Sequence, residues 1–391
     1  MHRPRQVRAL FLALLFPTFL FAATLNISCD PKVSEQTGEE TTTERTQETS
    51  PEDGSPAETT TETTQEAKPE DGGTTEAIAE TSPDQPNQPS VEAAATKLLT
   101  PLDATPGPNG ETTYYTAMLP PNVDDPDNSE GRGALFKVTQ GTPPQELAKG
   151  FVSPLNLVLS TNGQTVFVAD RGQAKPEEEN QNTSKTGGIY SVPSTGGPAT
   201  LVPNTQGYQP RGLDLIKEGN DDVLFFSGVD PADGSVGVFK MKTTGGAISP
   251  VLKGSPLRDP SGVAAAADGK VYVADARTED GTSSVVYQIA NGQASDFSGP
   301  IRVGYPAGIA LNKNEDTLLV SGLQPQTNSS VVYLIKIADK TISEFSQGIS
   351  QNSESGGVHR AHNTNSFAWA DSSTVDRDGN GGGTVYMIKL P

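Results

Sequence analysis

The chain has 391 residues, of which 28 are Lys or Arg and 48 are Asp or Glu, so its formal net charge is −20. A chain this acidic lacks the basic surface that phosphate backbones require, which argues against nucleic-acid binding. Its single cysteine excludes an intrachain disulfide framework and a cysteine-rich metal site. The 40 Gly and 31 Pro residues indicate many turns or a low-complexity segment.

The N-terminus has the layout of a secretory signal. Arg3, Arg5 and Arg8 precede an almost wholly apolar run from Ala9 to Leu25, which Pro17 interrupts. This run is short for a membrane span of about 20 residues. We therefore expect residues 1–28 to be a signal peptide and the protein to be exported, with an uncleaved anchor helix as the alternative.

The single cysteine, Cys29, follows the apolar run in the sequence LNISC (25–29). This stretch resembles the lipoprotein box of bacterial lipoproteins, in which the cysteine after a small residue is lipidated and becomes the mature N-terminus. Asn26 stands where that family usually has Leu, and an ordinary secretory signal with an incidental cysteine is the alternative. The resemblance implies that acyl chains on Cys29 hold the protein on the cell membrane or the outer membrane, with its folded domain in the periplasm or at the cell surface.

Residues 29–95 form an acidic segment rich in Thr, Glu, Ser and Pro. Between Asp30 and Thr96 there are 17 acidic and 3 basic residues. With almost no aromatic or large aliphatic residues, such a segment cannot bury enough surface to offset its chain entropy, so we expect a disordered linker. Its expected role is to space the folded domain from a membrane surface, and an acidic interaction tail is the alternative.

The remaining residues, 96–391, repeat one strand motif: an aliphatic residue, an aromatic residue, any residue and an aliphatic residue. Six copies occur, with their aromatic residues at Phe136, Tyr190, Phe239, Tyr287, Tyr333 and Tyr386. A period near 50 residues with strand-like content indicates a radial or solenoid β architecture.

Other strands surround each copy of the motif. A continuous apolar run precedes it, as in TVFVAD (165–170) and KVYVAD (270–275), and a Pro-initiated strand such as PLNLVLS (154–160) precedes that run. A weaker outer strand follows, as in SPVLK (249–253). Four strands in each of six units predict an all-β fold, a six-bladed β-propeller of four-stranded antiparallel blades.

The VYVAD pieces and the Pro-x-Gly turns at this spacing resemble NHL-repeat propellers and the wider gluconolactonase-like superfamily. The resemblance covers roughly residues 96–391, and its short motifs support the fold more than any activity. In gluconolactonase-like enzymes a divalent metal is held by Asn and acidic side chains, one Asn coming from a Pro-Asn-Gly turn. Here the corresponding turns read Pro-Arg-Gly (210–212), Pro-Ser-Gly (260–262) and Pro-Ala-Gly (306–308), so the implied ligand set is incomplete.

Ring closure requires an outer strand for the last blade. The sequence TKLLT (96–100) matches the outer-strand pattern and is expected to supply it. The first blade then lacks a good innermost strand, because DATPGPNG (103–110) contains too many strand breakers. We expect an irregular first blade rather than a seventh one. Trp369 is expected to pack in a blade core.

Candidate site residues lie where loops lead into the innermost strands, at the mouth of the central channel. They are Asn156, Arg211, Asp275, His359 and His362. The two histidines suggest transition-metal binding or general-base chemistry, or else a partly exposed polar loop. Arg211 either binds an anion in the channel or pairs with Asp214 or with another blade. Asp170 and Asp275 are either metal ligands or caps of strand-end turns.

A further candidate is the acidic loop Asp376-Arg377-Asp378-Gly379-Asn380-Gly381, which fits the opening of a calcium loop. Oxygens of Asp376, Asp378 and Asn380 could wrap one calcium ion, but Met387 occupies the twelfth position, where a bidentate Glu is usual. A Gly-rich hairpin is the alternative reading. No cofactor beyond calcium or another divalent ion is indicated.

These observations favour an exported, membrane-anchored, monomeric propeller that acts as a non-catalytic binding or scaffold module of the cell envelope. Its ligand would be an unidentified protein or small molecule. The alternative is a metal-dependent hydrolase or lactonase of the gluconolactonase-like type with a divergent ligand set.

Overall fold

The chain divides into two units, Met1–Ala79 and Glu80–Pro391, and all structure described below belongs to the second. The computed structural model describes residues 89–120, 132–172, 187–278, 281, 283–349, 355–372 and 382–391. Cys29 and the calcium-like residues Asp376, Asp378 and Asn380 lie outside these ranges. In the described part of the chain, no helix has the length and apolar character needed to cross a membrane.

The predicted six-bladed propeller is confirmed: the described strands form six antiparallel sheets of four strands each. Blade 1 comprises β2 (Pro101–Pro106), β3 (Thr112–Met118), β4 (Gly133–Thr139) and β5 (Gln145–Phe151). Blade 2 comprises β6 (Pro154–Leu159), β7 (Thr165–Asp170), β8 (Gly188–Pro193) and β9 (Thr200–Leu201). Blade 3 comprises β10 (Leu213–Glu218), β11 (Asp221–Val229), β12 (Val236–Lys242) and β13 (Ser249–Lys253).

The second half of the ring follows the same order from the innermost strand outwards. Blade 4 comprises β14 (Pro260–Ala265), β15 (Val271–Asp275), β16 (Ser284–Ala290) and β17 (Gln293–Ile301). Blade 5 comprises β18 (Ile309–Leu311), β19 (Thr317–Leu323), β20 (Ser330–Lys336) and β21 (Ile342–Phe345). Blade 6 comprises β22 (Ser355–Arg360), β23 (Ser366–Asp371), β24 (Gly383–Lys389) and, as its outer strand, β1 (Ser90–Leu98).

Ring closure by an N-terminal strand is confirmed, but the strand is not TKLLT. β1 begins at Ser90, and Val91 lies opposite Ile388 of β24. Only Thr96–Leu98 of the predicted segment belongs to it, and Leu99 is 45% exposed. Leu98 is the residue that enters the core between blades 6 and 1. The Ala-rich start of β1 is too weakly apolar to read as a strand from sequence.

The expectation that blade 1 lacks an innermost strand is wrong, because Pro101–Pro106 forms one and pairs with β3. An innermost strand is an edge of its own sheet, since only one side of it is paired within the blade. Proline is tolerated on such an edge and at the first residue of a strand. Pro101 and Pro106 stand at the two ends of β2, so the breakers delimit the strand and do not interrupt it.

The hydrophobic core consists of packing between neighbouring blades. Six clusters of buried residues fill the interfaces between blades 1 and 2, 2 and 3, 3 and 4, 4 and 5, 5 and 6, and 6 and 1 among the residues described. Trp369 is fully buried between blades 5 and 6, where it stacks on Tyr386, as expected of a blade-core residue. Each blade therefore buries its apolar faces against its two neighbours.

The glycines of the Pro-x-Gly turns have a packing reason. Every innermost strand contacts the innermost strands of both adjacent blades, so these backbones crowd around the channel. A Cβ on Gly212 would overlap the carbonyl of Ser261, and one on Gly262 would overlap that of Ala307. These positions lie side by side at the start of consecutive innermost strands. We call this end of the channel the strand-start face and the opposite end, where the innermost strands finish, the turn face.

Candidate functional site

The predicted site residues do not form one site, because they lie at different levels of the channel. Arg211 precedes β10, and Asp275 lies opposite Pro260 at the start of β14, so both are on the strand-start face. His359 belongs to β22 itself, and His362 follows the end of that strand on the turn face. The expectation that the histidines lie on a loop leading into an innermost strand is therefore wrong.

Side chains inside the channel link one innermost strand to the next. The amide oxygen Oδ1 of Asn156 accepts a hydrogen bond from the backbone N–H of Leu213 in blade 3, at 2.6 Å. In the same way Asp214 Oδ2 accepts from the N–H of Ala265 in blade 4, at 2.7 Å. Asn156 is thus committed to holding blades 2 and 3 together.

Asp103 is the central residue of this network, and the sequence analysis missed it. Its Oδ2 accepts from the N–H of Leu157 in blade 2 at 2.9 Å and lies 2.8 Å from Nε2 of His359 in blade 6. Both side chains are buried. One carboxylate therefore ties together the first, second and last blades, where the ring closes.

The environment of this pair changes the pKa of both groups. Burial raises the pKa of Asp103, although the charge of His359 and hydrogen bonds from His359, Leu157 and Ala104 lower it in part. Burial alone would lower the pKa of His359. The negative charge and hydrogen bond of Asp103, with a smaller contribution from Asp214, raise it above its ordinary value. The contact between Asp103 and His359 therefore has a structural role, which is to hold blades 1 and 6 together at the channel.

Asp170 and Asp275 are caps of strand-end turns. Asp170 accepts hydrogen bonds from the backbone N–H groups of Val152, Ser153 and Gly172, at 2.9, 2.7 and 3.0 Å. Asp275 accepts three equivalent bonds from Arg258, Asp259 and Arg277, at 2.8, 2.8 and 3.1 Å. Both carboxylates thus fix the loop that leads into their own blade's innermost strand.

Three arginines gather on the strand-start face, and we call Arg171, Arg211 and Arg277 the mouth arginines. Arg211 forms an ion pair with Asp259 in the loop before blade 4, and not with Asp214. The Nε atom of Arg277 lies 3.8 Å from the same carboxylate. Asp259 is therefore shared between two guanidinium groups.

The mouth arginines repel one another. Burial lowers the pKa of Arg211, and the positive charges of Arg171 and Arg277 lower it further, against the opposing effect of Tyr305 and Asp275. Arg171 donates a long hydrogen bond of 3.5 Å to the hydroxyl of Tyr305. Tyr305 is 54% exposed, which makes it one of three exposed large hydrophobic residues in the described ranges. The mouth therefore combines excess positive charge with an accessible ring.

Arginines favour this face throughout the described ranges. Six of the seven arginines there flank the starts of innermost strands or the loops beside them: Arg132, Arg171, Arg211, Arg258, Arg277 and Arg302. The seventh, Arg360, lies on the turn face at the end of β22. The clustering of arginines on one face can be inferred from their positions relative to the strand ends in the sequence. The sequence does not show which residues these arginines contact.

The turn face holds a separate cavity of about 220 Å³ at the end of the channel. We call it the turn-face cavity. His359 and His362 both line it, together with Asp214, Glu315 and Arg360. The Nε2 atom of His362 lies 2.8 Å from the carbonyl oxygen of Leu159, so this nitrogen carries the proton and donates it.

The described side chains do not assemble a metal centre: within those ranges, no group of three or more His, Cys, Asp or Glu residues could hold an ion. The donor chemistry agrees with this, because the oxygens of Asp170, Asp275 and Asn156 already accept backbone N–H groups. The calcium-like loop at 376–381 is outside the described residues and stays a prediction.

Comparison with family models and with the sequences of curated proteins gives no match. Solved structures do resemble this chain. The PQQ-bound aldose sugar dehydrogenase of Streptomyces coelicolor gives a TM-score of 0.51 at 14% identity, over 78% of this chain and 99% of that one. A gluconolactonase of Xanthomonas campestris gives 0.51 at 12% identity, over 77% and 89% of the two chains. The calcium-binding protein regucalcin of Agrobacterium tumefaciens gives 0.48 at 11% identity, over 75% and 92%. At these identities the likeness shows the β-propeller fold alone.

Proposed function

We propose that this protein is an exported, lipid-anchored binding module of the bacterial cell envelope, which receives an anionic group of its partner at the strand-start mouth of the channel. One observation carries the proposal: Arg211 and Arg277 share a single carboxylate, Asp259, and the charge of Arg171 also acts on Arg211, while the neighbouring carboxylates of Asp170 and Asp275 are held by backbone amides. The groups of the mouth that remain open to a ligand are therefore guanidinium groups.

The same geometry argues against the hydrolase alternative. A hard divalent cation requires several oxygen ligands that converge on one point. Each oxygen of Asp170 and Asp275 already accepts at least one backbone N–H, so turning either carboxylate towards a metal would break the hydrogen bonds of partly buried amides. The Pro-x-Gly turns offer Arg, Ser and Ala where the gluconolactonase-like site has Asn.

Charge and shape support an anionic partner group. Guanidinium groups bind carboxylates and phosphates through paired, charge-assisted hydrogen bonds. An anion between Arg171 and Arg211 would relieve the repulsion that lowers the pKa of Arg211. The exposed ring of Tyr305 beside Arg171 offers a surface for stacking. This combination favours an anion that carries a ring, such as a sugar acid.

The mouth is tested by calorimetric titration of the full chain with glucuronate, and with glucose as the neutral analogue. We expect glucuronate to bind more tightly than glucose, and raised salt to weaken its binding. The double variant Arg171→Gln, Arg277→Gln should weaken glucuronate binding at least about tenfold, or about 1.4 kcal/mol. Arg302→Gln is the matched control, because Arg302 is on the same face but bonds to Asn328.

Equal affinity of the double variant and the wild type would contradict the proposal, and so would equal binding of glucose and glucuronate. A parallel assay measures hydrolysis of gluconolactone with added calcium. Turnover that is lost on chelation would favour the metal-dependent hydrolase instead.

The anchor is tested separately with Cys29→Ser. We expect the wild-type protein to be lipidated at Cys29 and to sediment with membranes, because acyl chains bury apolar surface in the bilayer. The serine variant should lose the lipid and appear in the soluble exported fraction. Intact-mass measurement of the purified protein checks the modification directly, and an unmodified cysteine in the wild type would contradict this part of the proposal.

A further inference from the structure

The turn-face cavity is built on rigid elements. Its charged residues come from the innermost strands of blades 3 and 6, at Asp214 and Arg360, and from the turn that ends the innermost strand of blade 5, at Glu315. The walls between them include Ala265 and Ala310, which are both buried. The cavity is thus a fixed cleft in which Arg360, Asp214 and Glu315 surround a small apolar wall, while His359 is already paired with Asp103.

Arg360 has unused donors. It is partly buried, and in the described part of the chain no carboxylate lies within 4.0 Å of its guanidinium group. Its Nη1 donates only long hydrogen bonds, of 3.5 Å to the carbonyl of Ala361 and 3.4 Å to that of Thr364. A guanidinium presents five N–H donors in a planar fork, so this one is open to a planar anion.

Asp214 and Glu315 act on Arg360 at longer range. Burial lowers the pKa of Arg360, and the charges of these two carboxylates raise it in part. Their own bonds fix their positions: Asp214 accepts the N–H groups of Leu215 and Ala265, at 2.8 and 2.7 Å. Both oxygens of Glu315 share one N–H, that of Ala267, at 3.1 Å. Each carboxylate oxygen keeps acceptor capacity for a cation in the cavity.

Another charged side chain on the rim, Lys217, lies beside a carboxylate outside the cavity. The Nζ atom of Lys217 lies 3.4 Å from Asp222 Oδ1 and 3.4 Å from Thr161 Oγ1. Lys217 therefore neither neutralises the two carboxylates of the cavity nor competes with Arg360 for an anion. The cavity keeps a separated pair of charges, a guanidinium on one side and carboxylates on the other.

We infer that the turn-face cavity binds a small zwitterion of the α-amino-acid class, with its carboxylate on Arg360 and its ammonium group on Glu315 and Asp214. The volume of about 220 Å³ equals that of roughly seven waters at about 30 Å³ each. A small aliphatic amino acid such as valine fits within this volume, with its side chain against Ala265 and Ala310. The inference does not depend on the proposed function of the mouth.

The test is calorimetric titration of the full chain with L-valine at neutral pH. We expect saturable binding at one site with a dissociation constant below about 1 mM. L-valinamide, which lacks the carboxylate, and N-acetyl-L-valine, which lacks the ammonium group, should each bind at least about tenfold more weakly.

Two variants remove one charge each from the cavity. Arg360→Gln and Glu315→Gln should each weaken L-valine binding at least about tenfold, and Arg302→Gln on the opposite face should bind as the wild type does. The melting temperature of every variant is measured without ligand. If Arg360→Gln does not fold, Glu315→Gln and Asp214→Asn decide the outcome.

Several results would overturn the inference. Equal binding of N-acetyl-L-valine would mean an anion site, and equal binding of L-valinamide would mean a cation site. Absence of saturable L-valine binding, or unchanged affinity in a folded Glu315→Gln variant, would show that the cavity does not recognise zwitterions. Because Glu315 and Arg360 are remote from the mouth arginines, failure here leaves the glucuronate experiment unaffected.

Discussion

Replacing Asp103 with alanine is expected to lower the free energy of unfolding of the propeller by about 3–5 kcal/mol, the usual cost of removing one partner of a buried ion pair. The substitution leaves His359 buried without its partner and removes the acceptor of the Leu157 N–H. It also removes the side-chain link from blade 1 to blades 2 and 6 at the channel. Urea unfolding, followed by tryptophan fluorescence of the buried Trp369, measures the change.

Three further variants make the result specific. Asp103→Asn keeps the shape of the side chain and one acceptor, so it should cost less than alanine. His359→Gln, alone and combined with Asp103→Ala, gives a double-mutant cycle that isolates the contact between the two residues. Asp221→Ala breaks an ion pair with Lys242 in which both side chains are at least half exposed, and it should change stability little. A loss for Asp103→Ala no larger than that of Asp221→Ala would refute the role assigned to Asp103.

The same pair predicts a dependence of stability on pH. The pKa of His359 is raised in the folded state, so its protonated form stabilises the fold fully below the unfolded pKa of about 6.5, and this contribution disappears as pH rises through the folded value. The raised pKa of Asp103 also lowers stability as pH rises, but this effect begins at the ordinary carboxyl value of about 3.8, at lower pH than the effect of His359. Thermal unfolding between pH 6 and pH 9 should show falling stability in the wild type and a weaker fall in His359→Gln. A similar profile for the two proteins would contradict this.

The fold was readable from sequence because each blade repeats the same register. In blade 4, for example, Val273 of the apolar strand lies opposite Tyr287 of the aromatic motif, and in blade 5 Val320 lies opposite Tyr333 in the same way. Such repetition multiplies a weak local signal six times. Blade 1 departs from the repeat, so its innermost strand had to be judged from local strand propensity alone. The prolines of β2 then led to the wrong prediction that this strand is missing.

The site was less predictable, because the sequence does not determine where a polar side chain points. An Asp at the end of a VAD strand suits a metal ligand and a turn cap equally well. Only the structure shows that Asp275 accepts backbone N–H groups of its own blade. Likewise, the partner of Arg211 is Asp259, which lies 48 residues away and belongs to the next blade. Such contacts depend on how blades dock, and the composition of a single blade does not encode them.

Deletion of β1 is expected to be the most damaging change outside the channel. Removing residues 90–98 from the full chain leaves β24 as an unpaired edge and empties the position of Leu98 in the core between blades 6 and 1. Burial of one leucine contributes about 1.5–3 kcal/mol, and each lost backbone hydrogen bond contributes about 0.5–1.5 kcal/mol. The free energy of unfolding should therefore fall by at least about 4 kcal/mol. Urea unfolding measures this loss.

An exposed edge strand also pairs readily with other chains, so the deletion variant should self-associate where the wild type does not. Light scattering after size-exclusion chromatography detects this. The matched control deletes residues 80–88, which has the same length but leaves β1 intact, and it should preserve both stability and the elution profile. β1 closes the ring by pairing with β24, which lies far away in the chain. Equal behaviour of the two deletions would mean that blade 6 is stable with three strands and that closure by β1 is dispensable.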